Sequence, residues 1–124
     1  MYRLRIQRVF SATHAIAMRG VLEQTHTHDW RIRVMVAGPV LDDDGLLCDF
    51  HVLEGLLDAT ISPFCDANLN DTPPFDRLNP TAEHVAMHMA MTMGPDLPSG
   101  LTELQVAVTE APGCEATYSM ELPI

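Results

Sequence analysis

Residues 26–36 read HTHDWRIRVMV and carry the clearest periodic pattern of the chain. From Trp30 to Val36, apolar residues alternate with two arginines and Met35. Successive side chains of a strand point to opposite faces, so this pattern predicts an antiparallel strand with one face in the core. His26 and His28 stand at its entrance. The sequence therefore predicts a half-buried strand that begins with two closely spaced imidazoles.

The same alternation recurs at residues 2–7, 104–108 and 116–122, which predicts three further strands. Between the second and third strands, two segments carry apolar residues at helical spacing. One covers residues 50–61 and ends near Pro63; the other begins at NPTAEHVA, where Asn79 is the predicted N-cap and Pro80 the first helical residue. The predicted order, ββααββ, indicates an α+β fold with a four-stranded antiparallel sheet.

Length and composition limit the kind of protein. The 124 residues suffice for one domain, which we expect to span residues 1–124. No apolar run approaches the ~20 residues of a membrane span, and the first ten residues alternate, unlike a secretory signal. The three cysteines lack the spacing of a metal site and are typical of a reducing compartment. We therefore expect a cytoplasmic protein.

The charge distribution argues against nucleic acid as a partner. Six of the seven basic residues, all arginines, lie in residues 1–33, whereas the net charge of the chain is −10. Proteins that bind nucleic acid need basic surfaces that displace counterions from the phosphates. An acidic chain is therefore expected to bind something else.

A third histidine can join the two at the strand entrance. His14 ends the first predicted strand, and His26 and His28 begin the second. In an antiparallel hairpin these ends are neighbours, and residues i and i+2 point to the same side. A catalytic zinc commonly has three protein ligands and one open position. The spacing is consistent with a zinc site, although three surface histidines would give the same sequence.

Several motifs together resemble the family of 6-pyruvoyl-tetrahydropterin and 6-carboxy-tetrahydropterin synthases, whose T-fold is ββααββ. The first two, F-x-A-x-H and H-x-H, are similar to the zinc ligands of that family. The others follow in the family's order along nearly the whole chain. The matching segments are FSATH (10–14), HTH (26–28), CDFHVL (48–53), CDANLND (65–71), NPTAEHVA (79–86) and VTEAPGCEATY (108–118).

The resemblance implies zinc held by the three histidines and a pterin substrate. The family's pterin-binding glutamate matches Glu110, whose carboxylate can accept two parallel hydrogen bonds from the N–H groups of the ring. Thr81 and Ala82 are implied to lie near the same ring. The family's assembly, a homohexamer of two trimers in which four-stranded sheets pair into a barrel, places active sites between subunits. Glu110 is then expected to face histidines of another chain.

The chain also departs from the family pattern. The loop before H-x-H lacks the usual catalytic cysteine, and the family's Asp-His pair is reduced to Asp66 followed by Ala67. Thr27 replaces the usual glycine of H-x-H. Asp66 is therefore the one remaining candidate catalytic group of that pair. The chain also lacks the thiol that transfers protons in the ordinary synthase reaction.

Glu23 lies three residues before His26, where the type III subgroup of the family replaces the cysteine with glutamate. The resemblance implies that Glu23 is a general base and that 7,8-dihydroneopterin triphosphate is cleaved to 6-hydroxymethyl-7,8-dihydropterin. Alternatives are a pterin-binding homologue without activity, a 6-carboxy-tetrahydropterin synthase-like protein, and an interaction module that keeps only the assembly. Glu110 and the histidines argue against the last, because a scaffold needs neither.

Overall fold

The computed structural model describes residues 1–123. None of the helices in this range combines the length and the apolar character that crossing a membrane requires. The elements are β1 (Tyr2–His14), β2 (Ala17–Met18), β3 (Val21–Leu22), β4 (His26–Gly38), α1 (Phe50–Ile61), α2 (Ala82–Met93), β5 (Glu103–Ala111) and β6 (Cys114–Glu121).

Four of the strands form one antiparallel sheet in the order β1-β4-β5-β6. β1 and β4 pair along their whole length, from Tyr2 opposite Gly38 to His14 opposite His26. Helix α1 packs on β1, and α2 packs on β5 and β6. The predicted α+β fold, with four antiparallel strands and two helices on one face, is confirmed.

One face of the sheet carries the core. The alternating residues of β4 and β5 that face the helices are fully buried, and the helices bury apolar residues at helical spacing, although Phe50 at the start of α1 is exposed. Burying one such side chain contributes about 1.5–3 kcal/mol. The core residues that are at most 1% exposed include Trp30, Ile32, Val34, Val36, Leu53, Leu57, Val85, Met89, Leu104, Val106 and Val108.

The loop predicted between the first two long strands contains a small hairpin. β2 and β3 pair through Ala17 opposite Leu22 and Met18 opposite Val21. Their turn has φ of 52° at Arg19 and 79° at Gly20. Two consecutive positive φ angles match the right-handed twist of a tight hairpin, although an arginine seldom adopts one. The sequence lacks an Asn-Gly or Asp-Gly pair here, so the hairpin was not predicted.

The start of α2 differs from the prediction. Its N-cap is Thr81, whose side chain accepts a hydrogen bond from the amide of His84 at 3.1 Å, and the helix begins at Ala82. The side chain of Asn79, the predicted cap, instead accepts a hydrogen bond from the amide of Ala17 at 2.8 Å and donates one to its carbonyl at 2.9 Å. The predicted cap was wrong because a tertiary contact uses the asparagine side chain.

Candidate functional site

The paired ends of β1 and β4 bring the three histidines together. His14 is directly opposite His26, and His28 is opposite Ala12. All three rings lie on the face of the sheet that packs against the helices, with centroids 4.3 to 5.4 Å apart. The arrangement predicted from the spacing is therefore the one that the strand register produces.

An aromatic pair supports the buried end of this cluster. His14 is fully buried, and its ring meets that of Trp30 edge to face at a centroid distance of 4.7 Å. Trp30 stacks on Phe10 and donates a hydrogen bond from Nε1 to the carbonyl of Ala12 at 3.2 Å. Because Trp30 is fixed by packing and by this hydrogen bond, the position of the His14 ring is fixed as well.

Backbone carbonyls determine which nitrogen each ring presents. Nδ1 of His14 lies 2.8 Å from the carbonyl oxygen of Pro80, and Nδ1 of His26 lies 3.0 Å from that of Gln24. A carbonyl oxygen only accepts, so both Nδ1 atoms carry the hydrogen and both Nε2 atoms of the neutral rings have a free lone pair. These Nε2 atoms are 3.0 Å apart. Two lone pairs at this distance repel each other unless a cation or proton lies between them.

Glu110, from the end of β5, joins the histidines of its own chain. Its Oε1 lies 2.8 Å from Nε2 of His14, 3.3 Å from that of His28 and 3.7 Å from that of His26. The resemblance implies that Glu110 faces histidines of another chain in the assembly. Within one chain, Glu110 lies at a shift in the pairing of β5 with β6, and its carboxylate meets the histidines of the same chain.

His28 contributes a nitrogen that nothing else uses. Within residues 1–123, its Nε2 is buried and makes no hydrogen bond, although Glu110 is 3.3 Å away. Burial, and next the charge of His26, lower the pKa of His28 below its ordinary 6.5, while Glu110 acts in the opposite direction. The neutral form that ligates a metal is therefore favoured near pH 7.

The donor set fits a metal ion. Three imidazole nitrogens and one carboxylate oxygen lie within 4.8 Å of one another. Nitrogen and oxygen donors in this number suit tetrahedral zinc, and Nδ1–H groups bound to carbonyls are the outer contacts that metal-ligating histidines usually make. His14, His26, His28 and Glu110 can therefore hold a metal ion.

Two asparagines hold the chain immediately after His14. Asn70 binds both backbone groups of Ala15 at 2.8 Å, and Asn79 binds both those of Ala17. Each amide side chain thus satisfies one backbone donor and one backbone acceptor of the segment that follows β1. Both asparagines belong to the motifs quoted above, but the sequence alone did not reveal this supporting role.

Glu23 lies next to His26, on the loop side of the ring. Its Oε1 accepts a hydrogen bond from the amide of Ile16 at 3.0 Å and is 3.7 Å from Nδ1 of His26. Its own amide donates to the carbonyl of Ile16. The carboxylate is thus anchored close to the cluster. It lies beside Nδ1 of His26, whereas Nε2 of the same ring faces His14.

A cavity of about 590 Å³ adjoins the cluster and contains Ala82, Glu83, Glu110 and Cys114 in its wall. Two of these, Ala82 and Glu110, were predicted to contact one pterin ring, and Thr81 precedes Ala82 at the N-cap of α2. Scattered cysteines without metal-type spacing are expected to be small buried side chains, but Cys114 is exposed. The structure therefore places Ala82 and Glu110 in the wall of one cavity, and Thr81 adjoins the cavity in sequence only.

Asp66 lies apart from the cluster. Its side chain is exposed, its φ is 58°, and its amide donates to the carbonyl of Ser11 on the edge of β1. The next residue, Ala67, accepts from the amide of Thr13. The segment is thus fixed along the sheet edge, and Asp66 is not one of the four groups that meet at the candidate metal position.

His84 and His88 serve the fold. Nδ1 of His84 donates to the carbonyl of Asn79 at 2.7 Å, which closes the turn before α2. The ring of His88 meets those of Phe64 and Phe75 at 5.7 and 5.5 Å, and burial lowers its pKa. Neither histidine belongs to the metal-binding group identified within residues 1–123.

The fold and the site together define an α+β protein with a cluster, able to hold a metal ion, of three histidines at the paired ends of two long strands. A family model described as 6-pyruvoyl tetrahydropterin synthase matches residues 3–121. The chain belongs to this family, as the motifs predicted. Membership supports a pterin-processing enzyme.

Solved structures show the same fold. The 6-pyruvoyl tetrahydropterin synthase of Plasmodium falciparum is 16% identical, with a TM-score of 0.79 and 98% of each chain covered. That of Caenorhabditis elegans is 21% identical, with a TM-score of 0.74 and 97% of each chain covered. A Plasmodium vivax 6-pyruvoyltetrahydropterin synthase whose catalytic glutamate is replaced by alanine is 16% identical, with a TM-score of 0.78 and 98% of each chain covered. No curated protein matches the chain in sequence.

Proposed function

We propose that the protein is a zinc-dependent lyase that cleaves 7,8-dihydroneopterin triphosphate to 6-hydroxymethyl-7,8-dihydropterin. The observation that carries this proposal is the convergence of three imidazole nitrogens and a carboxylate beside a cavity, in a member of a pterin-enzyme family. The product is a folate precursor, so folate synthesis is the proposed pathway.

Zinc is the proposed ion, held by His14, His26 and His28. When bound, zinc polarises the side-chain hydroxyls of the substrate as a Lewis acid. These histidines would hold the ion in a fixed position, because carbonyls orient the rings of His14 and His26 and Trp30 packs against the ring of His14. The chain supplies proton transfer and ring binding.

Glu23 is the proposed general base. It accepts the proton of the hydroxyl on the second side-chain carbon, the bond between the first and second carbons breaks, and the second carbon becomes an aldehyde. The electron pair remains on the carbon attached to the ring, which then takes up a proton. Two features support this role: the amide of Ile16 holds the carboxylate near the cluster, and a glutamate is the catalytic residue of the Plasmodium vivax relative.

Ring binding is proposed for Glu110, Thr81 and Ala82. A carboxylate that accepts from the adjacent N–H groups of the ring selects a 2-amino-4-oxo pterin over rings without that donor pair. The cavity of about 590 Å³ that contains Ala82 and Glu110 supports this assignment. Its volume lies within the range of ordinary small-molecule sites.

A homohexamer of two trimers is the proposed assembly. The sheet ends in two edge strands, and the hairpin beside the site exposes Met18, Val21 and Leu22 by 60, 71 and 62%. Exposed edges and apolar side chains favour contact with another copy. Asp66, which lies on the outer side of β1, is proposed to reach the site of a neighbouring subunit and act there with Glu23.

The second candidate is a pterin-binding homologue without this activity. Ala67 favours it, because it occupies the position of the family's histidine and has no group that moves a proton. A 6-carboxy-tetrahydropterin synthase-like reaction meets the same difficulty, together with the absent loop cysteine.

Incubation of the zinc-loaded protein with 7,8-dihydroneopterin triphosphate tests the proposal, with the products separated by chromatography. We expect 6-hydroxymethyl-7,8-dihydropterin from the wild type. Pterin binding without any product would favour the inactive homologue. A product that carries a carboxylate at position 6 of the pterin ring would indicate the synthase-like reaction.

A further inference from the structure

Glu110 occupies an irregular position in β5. The pairing of β5 with β6 shifts between Thr109 and Ala111, so Glu110 lies in a β-bulge. A bulge leaves one residue out of the ladder and changes the direction of its side chain, and such bulges are common next to active sites. Here the bulge directs the carboxylate towards the histidines instead of into the cavity beside them.

The contacts of Glu110 complete a four-donor arrangement. Its Oε1 is within 3.7 Å of all three Nε2 atoms, and 2.8 Å from that of His14. Nδ1 of His14 faces the carbonyl of Pro80, so in the neutral ring the Nε2 lone pair faces the carboxylate and the two repel each other. A cation among the four donors removes this repulsion, and four donors fill a tetrahedral sphere.

We propose that Glu110 is the fourth ligand of the metal ion in the substrate-free protein and leaves the ion when a pterin ring binds. This inference rests on the proposed function for its second half, because the same carboxylate cannot hold both partners at once. The side chain is 25% exposed and the adjoining cavity of about 590 Å³ leaves room for it to turn. The metal would then stay closed to other ligands until a ring with the correct N–H pair competes for Glu110.

The ligand role is tested by metal affinity without any pterin. Zinc affinity is measured by competition with a chelator for the wild type and for Glu110→Gln. Loss of an outer-sphere contact already costs about 10–100-fold in metal affinity, so loss of a direct ligand should cost at least tenfold. Glu83→Gln is the matched control, because Glu83 lies in the wall of the same cavity but outside the cluster. Equal affinity for wild type and Glu110→Gln would overturn the proposal.

The release step is tested on the wild type, so it does not depend on the folding of a variant. The protein is loaded with Co²⁺, whose visible absorption reports its ligands, and is titrated with a pterin that has no substituent at position 6. Such a ring has no side-chain hydroxyl to offer the metal. We expect the absorption to change as the ring withdraws Glu110. Ring binding with an unchanged spectrum would overturn the release.

The two arms separate this inference from the proposed function. If no pterin binds in any form, the proposed function and the release both fail, whereas the metal affinities still decide the ligand role. If the ring binds and Glu110→Gln keeps full zinc affinity, the pterin site stands and the fourth ligand is wrong.

Discussion

At the scale of single residues, the sequence predicted which histidines meet but not what orients them. His14, His26 and His28 follow from strand ends and two-residue spacing. The carbonyl of Pro80, which fixes the tautomer of His14, depends on where the start of α2 packs. Glu110 was identified only through the family motif, and its contact with its own chain's histidines depends on a bulge. A bulge has no reliable signal in a strand of alternating residues.

Glu23→Gln should abolish most turnover while leaving fold and metal in place. Glutamine keeps the oxygen that accepts from Ile16 but no longer takes up a proton, so the loop is preserved and the base is lost. A positioned base contributes ~10²–10⁴-fold. Product formation is measured by chromatography, with zinc content as the control. Equal turnover of both proteins would show that another group moves the proton.

His88 should make the fold less stable in mild acid. Its pKa in the folded protein is lowered by burial, with no other cause acting. Between that value and the unfolded value of about 6.5, the unfolded chain binds more protons, so the free energy of unfolding falls as the pH falls below about 6.5. Urea unfolding of metal-free protein at about pH 7.5 and 5.5 should show a smaller difference for His88→Leu than for wild type. An unchanged difference would contradict the burial argument.

At the scale of elements, periodicity located the long strands and both helices but not their exact ends. The histidine ends of β1 and β4 lie where the sequence predicts them, at His14 and His26, and the two strands pair along their whole length. The hairpin of β2 and β3 was missed since Arg19 and Gly20 form its turn. The N-cap of α2 moved from Asn79 to Thr81 because a distant backbone segment binds Asn79.

Thr81→Ala should destabilise the protein by about 1 kcal/mol, within the ~0.5–2 kcal/mol range for loss of an N-cap side chain. The amide of His84 then loses its acceptor. Thr81→Ser keeps the hydroxyl and should remain close to wild type. Urea unfolding followed by circular dichroism measures both. If Ser and Ala variants were equally destabilised, the lost methyl contacts would be responsible instead of the cap.

At the scale of the whole molecule, the sequence predicted the fold class and the family, since both depend on element order and on motifs spread along the chain. How subunits pair was not predicted from the periodicity of the sequence, because pairing depends on the match between the surfaces of two folded chains. The edge strands β1 and β6 and the exposed hairpin are the features that suggest it.

The mass in solution should be six times the 13.7 kDa of one chain. Edge pairing of the four-stranded sheets would remove the exposed edge of β6 and the part of the β1 edge that the segment of Asp66 and Ala67 leaves uncovered. Light scattering after size exclusion, at micromolar and tenfold lower concentration, measures the mass. A monomer at both concentrations would contradict the assembly and, with it, the proposed role of Asp66 in a neighbouring subunit.

The metal content of the purified, zinc-loaded protein tests the central claim most directly. We predict one zinc per chain in the wild type and in His51→Gln, whose side chain is 90% exposed and far from the cluster in sequence. His28→Gln should lose most of the zinc, because the buried Nε2 of His28 is one of the donors. A wild-type protein without zinc after loading, or equal zinc in all three proteins, would contradict the metal site on which the proposed function rests.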